Sequence, residues 1–480
     1  MKVGLVDQEN SISIDALLPV ACVGFMFHWG AVFIGIYFSD PLISSTDSSF
    51  ELSRVSCLLG IALGLFVISV CSDCFKKASG RIRLAALGFL LLSIYNVSTL
   101  LSFFGFVPPT LLTAVLWFGF GVGTSCGLMT WLDIFSYGKE KVTINYIIAG
   151  VFLGGLACLG SFSLSSVATL TLLILFPLFS LLILLFLFSR VYFPEHVSKK
   201  ESEERYSLPL VSTITVGTYG VVFGVSQYMI FSDRTTFISP AVIGASVAVG
   251  CLILLLVNIA TKCSVSYDTT QRVILPIMVV ALLLIPFSDG IVAILCWSTL
   301  MAALTCYDTA NMAILTKITH EQRLASFLFI AHNRMPIQIG MFGGWLLGFF
   351  LLNYRIVDTD MMTRIALGMV VVLVIVTTAI PYDKSRIGSK PIDPVEVESV
   401  EARGSWQKRC EEVGESYGLS PRQQDVLVYL AKGRNAEYIQ KELMVSSHTA
   451  KSHIYNIYRK LGIHSQQELI DLIEETKDTH

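Results

Sequence analysis

The feature that most constrains this chain is a series of twelve apolar segments, each about long enough to cross a lipid bilayer as an α-helix. About 20 apolar residues are needed for one crossing. The mean hydropathy of +0.67 lies outside the range of soluble domains, and only 15% of the residues are charged. We therefore expect membrane spans at about 14–38, 54–71, 84–106, 110–134, 143–165, 167–189, 210–231, 240–261, 273–288, 291–315, 324–352 and 361–380.

The distribution of basic residues predicts how these spans are oriented. If the N-terminus is cytoplasmic, the connections on the cytoplasmic side hold fifteen Lys or Arg residues before residue 381, and the opposite side holds four. Positive charge is retained on the cytoplasmic side of membrane proteins, so this asymmetry fixes the orientation. An even number of spans returns the C-terminus to the cytoplasm. The sequence thus predicts a multi-pass protein of the cell inner (cytoplasmic) membrane with both termini cytoplasmic.

The spans divide into two sets of six, separated by the polar connection Arg190–Pro209. Between spans two and three lie Asp73 and Gly80, with basic residues between and after them. Span count and layout resemble the major facilitator superfamily over residues 14–380. The loop keeps the Asp, Gly and basic residues of that family, but the family places its Asp and Gly three residues apart and this chain seven. The resemblance implies an all-α bundle of twelve transmembrane helices in a 6+6 arrangement.

Polar side chains inside spans are costly, and so they are the candidates for function. Arg334 lies about ten residues into span eleven, and Asp308 lies near the cytoplasmic end of span ten. Arg334 either binds an anionic ligand or locks helices together through an internal ion pair, with Asp308 as the expected partner. The remaining candidates for this ligand site are His28, Trp29 and Asn333.

Other residues in the spans favour structural roles. Asp133 and Asp308 occupy equivalent places in the two halves, which is compatible with a role shared by the repeats. Four glycines at small-residue spacing indicate close helix packing rather than a phosphate loop, namely Gly340, Gly343, Gly344 and Gly348. Cys71 and Cys74 form a lone CxxC pair, for which an apolar or interfacial role outweighs a redox or metal role.

The composition changes after Pro381 to a polar tether, and helix signals return near the end of the chain. We expect a membrane domain at 1–380, a linker with a short helix at 381–415, and a DNA-binding domain at 416–480. Ser420 and Gln423 form a capping box that opens a helix ending at Gly433. A second helix follows Asn435, and a third begins after Ser446 and ends at Gly462.

The third helix has one apolar face and one basic polar face. Ile454, Ile457 and Leu461 fall on one stripe, whereas His448 and Lys451 belong to the other. The helix carries no acidic residue, which suits insertion between DNA phosphates. Residues 416–466 hold seven basic and three acidic residues, so this region is +4 while the whole chain is −2.

This segment resembles the helix-turn-helix domain of the LuxR/NarL family of bacterial transcription regulators. The matching residues include Leu419-Ser-Pro-Arg, Gly433, Lys451 and Lys460-Leu461-Gly462. The resemblance covers about 55 residues and implies a tetra-helical domain whose third helix enters the major groove. It implies base contacts by Lys451, Ser452 and Tyr455, and it implies that Thr449, His453, Asn456 and Lys460 touch or flank the DNA backbone. Helical periodicity places Arg459 on the same polar face as Lys451 and Tyr455.

These features together predict a membrane-integrated, one-component transcription regulator that senses a small molecule. The alternative is a secondary active transporter whose DNA-binding tail is accessory. The sequence shows no phosphate-binding loop, catalytic triad or metal cluster, so we expect no enzymatic activity, no cofactor and no metal. The expected partners are double-stranded operator DNA, the lipid bilayer, an anionic or phenolic small molecule, and a second copy paired through the DNA-binding domain. Leu469, Leu472 and Ile473 offer an apolar strip for that pairing.

Overall fold

The computed structural model describes most of the membrane part and about half of the C-terminal part of the chain. The described residues are 12–38, 47–106, 109–193, 210–232, 240–260, 267–353, 359–379, 410, 413–414, 416–431, 439–440, 443, 446–463, 465, 468–469 and 472–473. The chain divides into two compact units, Met1–Lys390 and Pro391–His480.

The first unit is all-α, and its described residues form twelve long helices. Eight of them, counted over the described residues, are long and apolar enough to cross a membrane. The helices are α1 (Ile14–Phe38), α2 (Asp47–Val70), α3 (Ala78–Phe103), α4 (Thr110–Phe135), α5 (Glu140–Ser161), α6 (Ser166–Arg190), α7 (Leu210–Ser232), α8 (Pro240–Ala260), α9 (Tyr267–Leu284), α10 (Gly290–Gln322), α11 (Ser326–Asn353) and α12 (Thr359–Ala379). Short 3-10 turns occupy Ser72–Phe75 and Ile285–Phe287.

Several helices extend beyond the apolar segments that predict them. The apolar segment expected at 291–315 lies within helix α10, which continues to Gln322 and is followed by Arg323 in a left-handed conformation with φ of 49°. Hydropathy falls at Lys317 because the side chains become polar, whereas the backbone hydrogen bonds continue. The helix is therefore about two turns longer than the apolar segment.

The twelve helices pack as two halves with the same internal pattern. In α1–α6, helix α1 packs on α5 and α6, α2 packs on α4, and α3 packs on α4 and α6. In α7–α12, helix α7 packs on α11 and α12, α8 packs on α10, and α9 packs on α10 and α12. The halves meet where α2 packs on α11 and α5 on α8. This repeat confirms the predicted 6+6 arrangement.

Small residues bring the paired helices into contact. A side chain at Gly340 or Gly344 of α11 would collide with the α7 backbone at Gly217 or Val221, and one at Gly348 would meet Tyr228. The packing role predicted for these three glycines is confirmed. Gly343 is different, because a side chain there would meet nothing within 4 Å.

Polar contacts join the two halves at the end of the bundle where α4 ends and α11 begins, which we call the α4–α11 end. The Ser326 hydroxyl, at the first residue of α11, donates to Asp133 Oδ1 of α4 at 2.5 Å. Arg81 of α3 places Nε 3.7 Å from Asp133 Oδ2, and the side chains of Arg81 and Asp133 are fully buried. Nearby, the centroids of the Phe75 and Phe327 rings lie 5.1 Å apart. The carboxylate of Asp133 thus bridges one half to the other.

Three further hydrogen bonds cross between the halves. The ring Nδ1 of His320, in the last turns of α10, lies 2.8 Å from the Ser136 carbonyl oxygen. The Asn258 amide of α8 donates to Asn145 Oδ1 of α5 at 2.7 Å. At the opposite end of the bundle, Gln227 of α7 donates to the Tyr37 hydroxyl at 3.2 Å.

The second unit has its own apolar core, built around two described helices, α13 (Pro421–Ala431) and α14 (Ser447–Leu461). Val426, Leu427 and Ile457 are fully buried in it. The predicted second helix, after Asn435, lies mostly outside the described residues. Its described residues Ile439 and Leu443 belong to the same core, as buried and half-buried side chains respectively.

We expect Asp133→Asn to lower the free energy of unfolding by about 3 kcal/mol, the low end of the cost of breaking a buried ion pair. Arg81 would lose its counter-charge, although the Asn oxygen can still accept from Ser326. Thermal unfolding of the full chain in detergent measures the effect.

The control for this variant is Asp73→Asn, because Asp73 pairs with Lys76 at 2.9 Å and more than half of its side chain is exposed. Removal of such a surface pair should change stability by less than about 1 kcal/mol. Equal melting temperatures for Asp133→Asn and Asp73→Asn would contradict a bridging role for Asp133.

Candidate nucleic-acid interface and a buried ion pair

Helix α13 begins with the capping box that the sequence predicts. The backbone N–H of Gln423 donates to Ser420 Oγ at 3.3 Å, and the backbone N–H of Ser420 donates to Gln423 Oε1 at 3.0 Å. Reciprocal bonds of this kind satisfy donors that have no partner in the first turn of a helix. Gly418 enters this turn with φ of +62°, a conformation that suits glycine.

Helix α14 also has the predicted caps. Ser446 Oγ accepts the Thr449 amide N–H at 3.1 Å, and Gly462 ends the helix with φ of 69°. Ile457 and Leu461 are buried in the core of the second unit, and Ile454 is half-buried against it. The core-facing stripe of α14 is therefore where the periodicity places it.

The opposite face of α14 is open. His448, Lys451, Ser452, Tyr455 and Arg459 are all exposed, and Tyr455 retains 66% of its accessible surface. The Arg459 guanidinium lies 6.0 Å from the centre of the Tyr455 ring. An exposed helix face with Lys, Arg and Tyr and no acidic residue has the charge and hydrogen-bond donors that contact phosphates and base edges.

The side chains predicted to touch the DNA backbone are less exposed to solvent than those of the base-reading face, or are bonded within the domain. Thr449, His453 and Asn456 are half-buried, and the Thr449 hydroxyl lies 2.7 Å from Ser446 Oγ. Lys460 turns back into its own domain, where Nζ donates to the Gly418 carbonyl at 2.5 Å and to Gln423 Oε1 at 3.1 Å. In this arrangement the Lys460 ammonium holds the start of α13 against the end of α14.

Arg422 of α13 bonds to the chain just before the start of α14, a contact that the sequence analysis does not predict. Its Nη2 donates to the Leu443 carbonyl at 2.8 Å, in the connection before α14, and its Nη1 lies 3.1 Å from Asp425 Oδ2. The spacing of three between Arg422 and Asp425 is a local signal, but the bond to Leu443 depends on tertiary packing.

The prediction that Leu469, Leu472 and Ile473 form an apolar strip available for pairing two copies is wrong. Leu469 and Ile473 are fully buried in the core of their own domain, and Leu472 is half-buried against it. These side chains are thus already covered within one chain. Tyr458 also packs against this core, and partial burial raises the pKa of its hydroxyl above the ordinary value.

In the first unit, the predicted ion pair between Arg334 and Asp308 is present. Arg334 Nη1 donates to Asp308 Oδ1 at 2.7 Å and Nη2 donates to Oδ2 at 3.2 Å, a bidentate geometry between α11 and α10. The Arg334 side chain is 1% exposed and that of Asp308 is 21% exposed. Each of these two charges needs the other as its partner, because a single unpaired charge at this buried position would be strongly destabilising.

An aromatic pair lies beside this ion pair. Tyr307 precedes Asp308 on α10, and its ring stacks on Tyr219 of α7 at 3.9 Å with an interplanar angle of 10°. Gln338 follows Arg334 by one turn on α11 and is also buried. Helices α7, α10 and α11 thus place two tyrosines, an amide and an ion pair in one layer of the second half.

The other candidates for a ligand site lie elsewhere. His28 packs on Gly127 of α4 and stacks with Phe25, while Trp29 packs on Gly154 and Phe33, and these contacts lie within the first half. Asn333 is next to Arg334, but its amide donates to the Phe329 carbonyl of its own helix at 2.7 Å. The described contacts therefore do not bring these three residues to the Arg334–Asp308 pair.

Comparison with known proteins identifies the second unit. Residues 417–473 match the family model "Bacterial regulatory proteins, luxR family". The Fimbriae Z protein of Salmonella typhimurium is 47% identical over 53 residues, 11% of this chain and 25% of that protein. The response regulator protein TodT of Pseudomonas putida is 38% identical over 72 residues, 15% of this chain and 32% of that protein. The chain therefore spans about a quarter to a third of the length of these relatives.

Solved structures identify the fold of the first unit. The proton:xylose symporter XylE, of the major facilitator superfamily, aligns with a TM-score of 0.54 and 14% identity, covering 77% of this chain and 96% of that chain. The human organic anion transporter MFSD10 aligns with a TM-score of 0.53 and 12% identity over 76% and 99%. The chain thus joins a multi-pass membrane domain with a facilitator-type fold to a DNA-binding domain of the LuxR family of bacterial regulators.

Proposed function

We propose that this chain is a one-component transcription regulator of the inner membrane, which binds operator DNA through α14 and senses a small molecule through its membrane domain. The observation that carries the proposal is the exposed, acid-free face of α14, on a domain of a regulator family, in the same chain as a twelve-helix membrane bundle. We propose no enzymatic activity for it. Its input is a ligand in the bundle and its output is DNA binding.

The Arg334–Asp308 pair is the proposed switch of the sensing domain. Asp308 is the more accessible partner, with 21% of its side chain exposed, whereas Arg334 remains buried. A ligand at this pair changes the packing of α10 against α11, and through them the second half of the bundle. Such a ligand shifts the equilibrium only as far as it prefers one packing over the other.

A transporter with an accessory tail is the second candidate, and the facilitator-type fold of residues 14–379 favours it. Uptake of a solute into vesicles that persists after removal of residues 381–480 would support that candidate. A regulator requires instead that gene expression depend on the membrane domain and on the DNA-binding domain in one chain.

We expect a reporter fused after residue 480 to be cytoplasmic. The fifteen-to-four asymmetry of Lys and Arg before residue 381 predicts this orientation. Fusions to alkaline phosphatase, which is active only outside the cytoplasm, and to a fluorescent protein measure it. Alkaline phosphatase activity at residue 480, with a fusion in the 190–209 connection as the comparison, would contradict the orientation.

We expect Lys451→Ala and Tyr455→Ala to reduce discrimination between the preferred operator and random DNA. Loss of a base contact costs about 1 to 3 kcal/mol at one position of the site. The measurement is binding of full-length protein in detergent to the DNA selected by the wild type and to a scrambled sequence, at several salt concentrations.

Lys460→Ala is the comparison for these variants, because its ammonium is bonded within the domain. It should weaken binding to both DNAs alike and lower the melting temperature of the domain. Equal losses on operator and scrambled DNA for all three variants would refute a base-reading role for Lys451 and Tyr455.

We expect Arg334→Gln and Asp308→Asn each to make the reporter output constitutive or unresponsive, because each leaves the other charge without its partner in the bundle. Reporter expression and the folded yield of the membrane protein are measured together, for the single variants and for the double variant. His332→Ala is the matched control, since His332 is exposed on the same helix. Folded variants with a wild-type response would contradict the switch.

A further inference from the structure

The guanidinium of Arg334 has one hydrogen-bonding edge that its ion pair does not use. Asp308 occupies the edge formed by Nη1 and Nη2. Arg334 Nε is buried and finds no hydrogen-bond partner among the described residues. A buried donor that is left unpaired is destabilising, all the more on a charged group, so an additional acceptor at this edge would be stabilising.

Two other buried polar atoms on the helices beside this pair also find no partner among the described residues. They are the Tyr219 hydroxyl and Gln338 Oε1, on side chains that are 1% and 6% exposed. Gln338 lies four residues after Arg334, on the same face of α11. Tyr219 precedes Gly220, where an added side chain would collide with the Ile337 backbone, and Ile337 lies between Arg334 and Gln338 in the chain.

Tyr219 is also linked to the ion pair through Tyr307. Its ring stacks on that of Tyr307, and Tyr307 adjoins Asp308. These contacts therefore place Tyr219, Arg334 and Gln338 at the same level of the packed helices α7, α10 and α11. Two of the unpaired atoms are donors, Arg334 Nε–H and Tyr219 O–H, and one is an acceptor, Gln338 Oε1.

Charge decides what kind of molecule fits these atoms. Arg334 and Asp308 already neutralise each other, so a monoanion would leave one net negative charge in a buried, apolar setting, which is strongly disfavoured. A neutral group that accepts from Arg334 and Tyr219 and donates to Gln338 adds no charge. The stacked tyrosines supply an aromatic surface on which a planar ligand can pack.

From these contacts we infer that the layer formed by Tyr219, Arg334 and Gln338 binds an uncharged, planar aromatic molecule that carries both a hydrogen-bond acceptor and a donor. Asp308 stays on Arg334 and orients its free edge, and its partial exposure marks the side from which the ligand reaches the layer. The inference rests on the proposed sensing function and replaces the anionic ligand with a neutral one.

Three probes of the same ring and nearly the same size separate the alternatives. Benzamide is neutral and has both an acceptor and donors, benzoate is an anion with acceptors alone, and benzylamine is a cation with donors alone. Binding to the full-length protein purified in detergent is measured by calorimetry and by the rise in melting temperature. We expect benzamide to bind at least about tenfold more tightly than either charged probe, a difference of about 1.4 kcal/mol.

A pair of variants locates the binding site. Tyr219→Phe removes one hydroxyl and keeps the stacked ring, and it should weaken benzamide binding about tenfold with little change in folded yield. Ser226→Ala is the control, because Ser226 is fully buried on the same helix, about two turns away, with a hydroxyl that likewise lacks a partner in the described structure. It should leave benzamide binding unchanged.

The outcomes that overturn the inference are distinct from those that overturn the proposed function. Benzoate or benzylamine binding as tightly as benzamide, no saturation by any of the three up to solubility, or equal effects of Tyr219→Phe and Ser226→Ala would each overturn it. These assays use purified protein without a reporter. The proposed function fails instead if the chain does not bind DNA, or if a folded Arg334→Gln variant gives the wild-type reporter response.

Discussion

The structure of the first unit depends on the requirement that polar groups inside an apolar bundle find partners within the protein. Backbone groups meet this requirement by forming helices, which is why the described residues of this unit are helical almost throughout. Charged side chains meet it through Arg81 with Asp133 and Arg334 with Asp308. Each pair joins different helices, so the same physical requirement that makes charges rare also fixes how the helices are arranged.

The two halves use an equivalent aspartate in different ways. Asp133 of α4 bonds to Ser326, the first residue of α11, and so connects one half to the other. Asp308 of α10 bonds to Arg334 within the second half, and Nε of that guanidinium has no partner among the described residues. The repeat therefore supplies the same carboxylate twice, once for holding the halves together and once for orienting a buried cation. This difference makes the second half the better candidate for binding a ligand.

The DNA-binding domain shows a similar division between exposed and internal charges. Lys451 and Arg459 remain on the open face of α14, whereas Lys460 is bonded to the loop and first turn of α13. Arg422 is bonded to the connection that precedes α14. Lys460 at the end of α14 and Arg422 in α13 thus hold the two helices together, and the basic residues on the outer face of α14 are left for phosphates and bases. Net charge alone does not distinguish these two groups.

Sequence alone determined the features that depend on neighbouring residues. Apolar length predicted the helices of the first unit, and the capping residues Ser420, Ser446 and Gly462 fixed where α13 and α14 begin or end, because caps act within one turn. The Arg334–Asp308 pair was also predictable, since α10 and α11 are consecutive and a buried charge needs a partner. Tertiary structure decided contacts between distant residues. Asp133 and Ser326 are 193 residues apart, Lys460 reaches back to Gly418, and Leu469 and Ile473 are buried in their own domain. Periodicity tells which face of a helix is apolar, but what covers that face depends on how the helices pack.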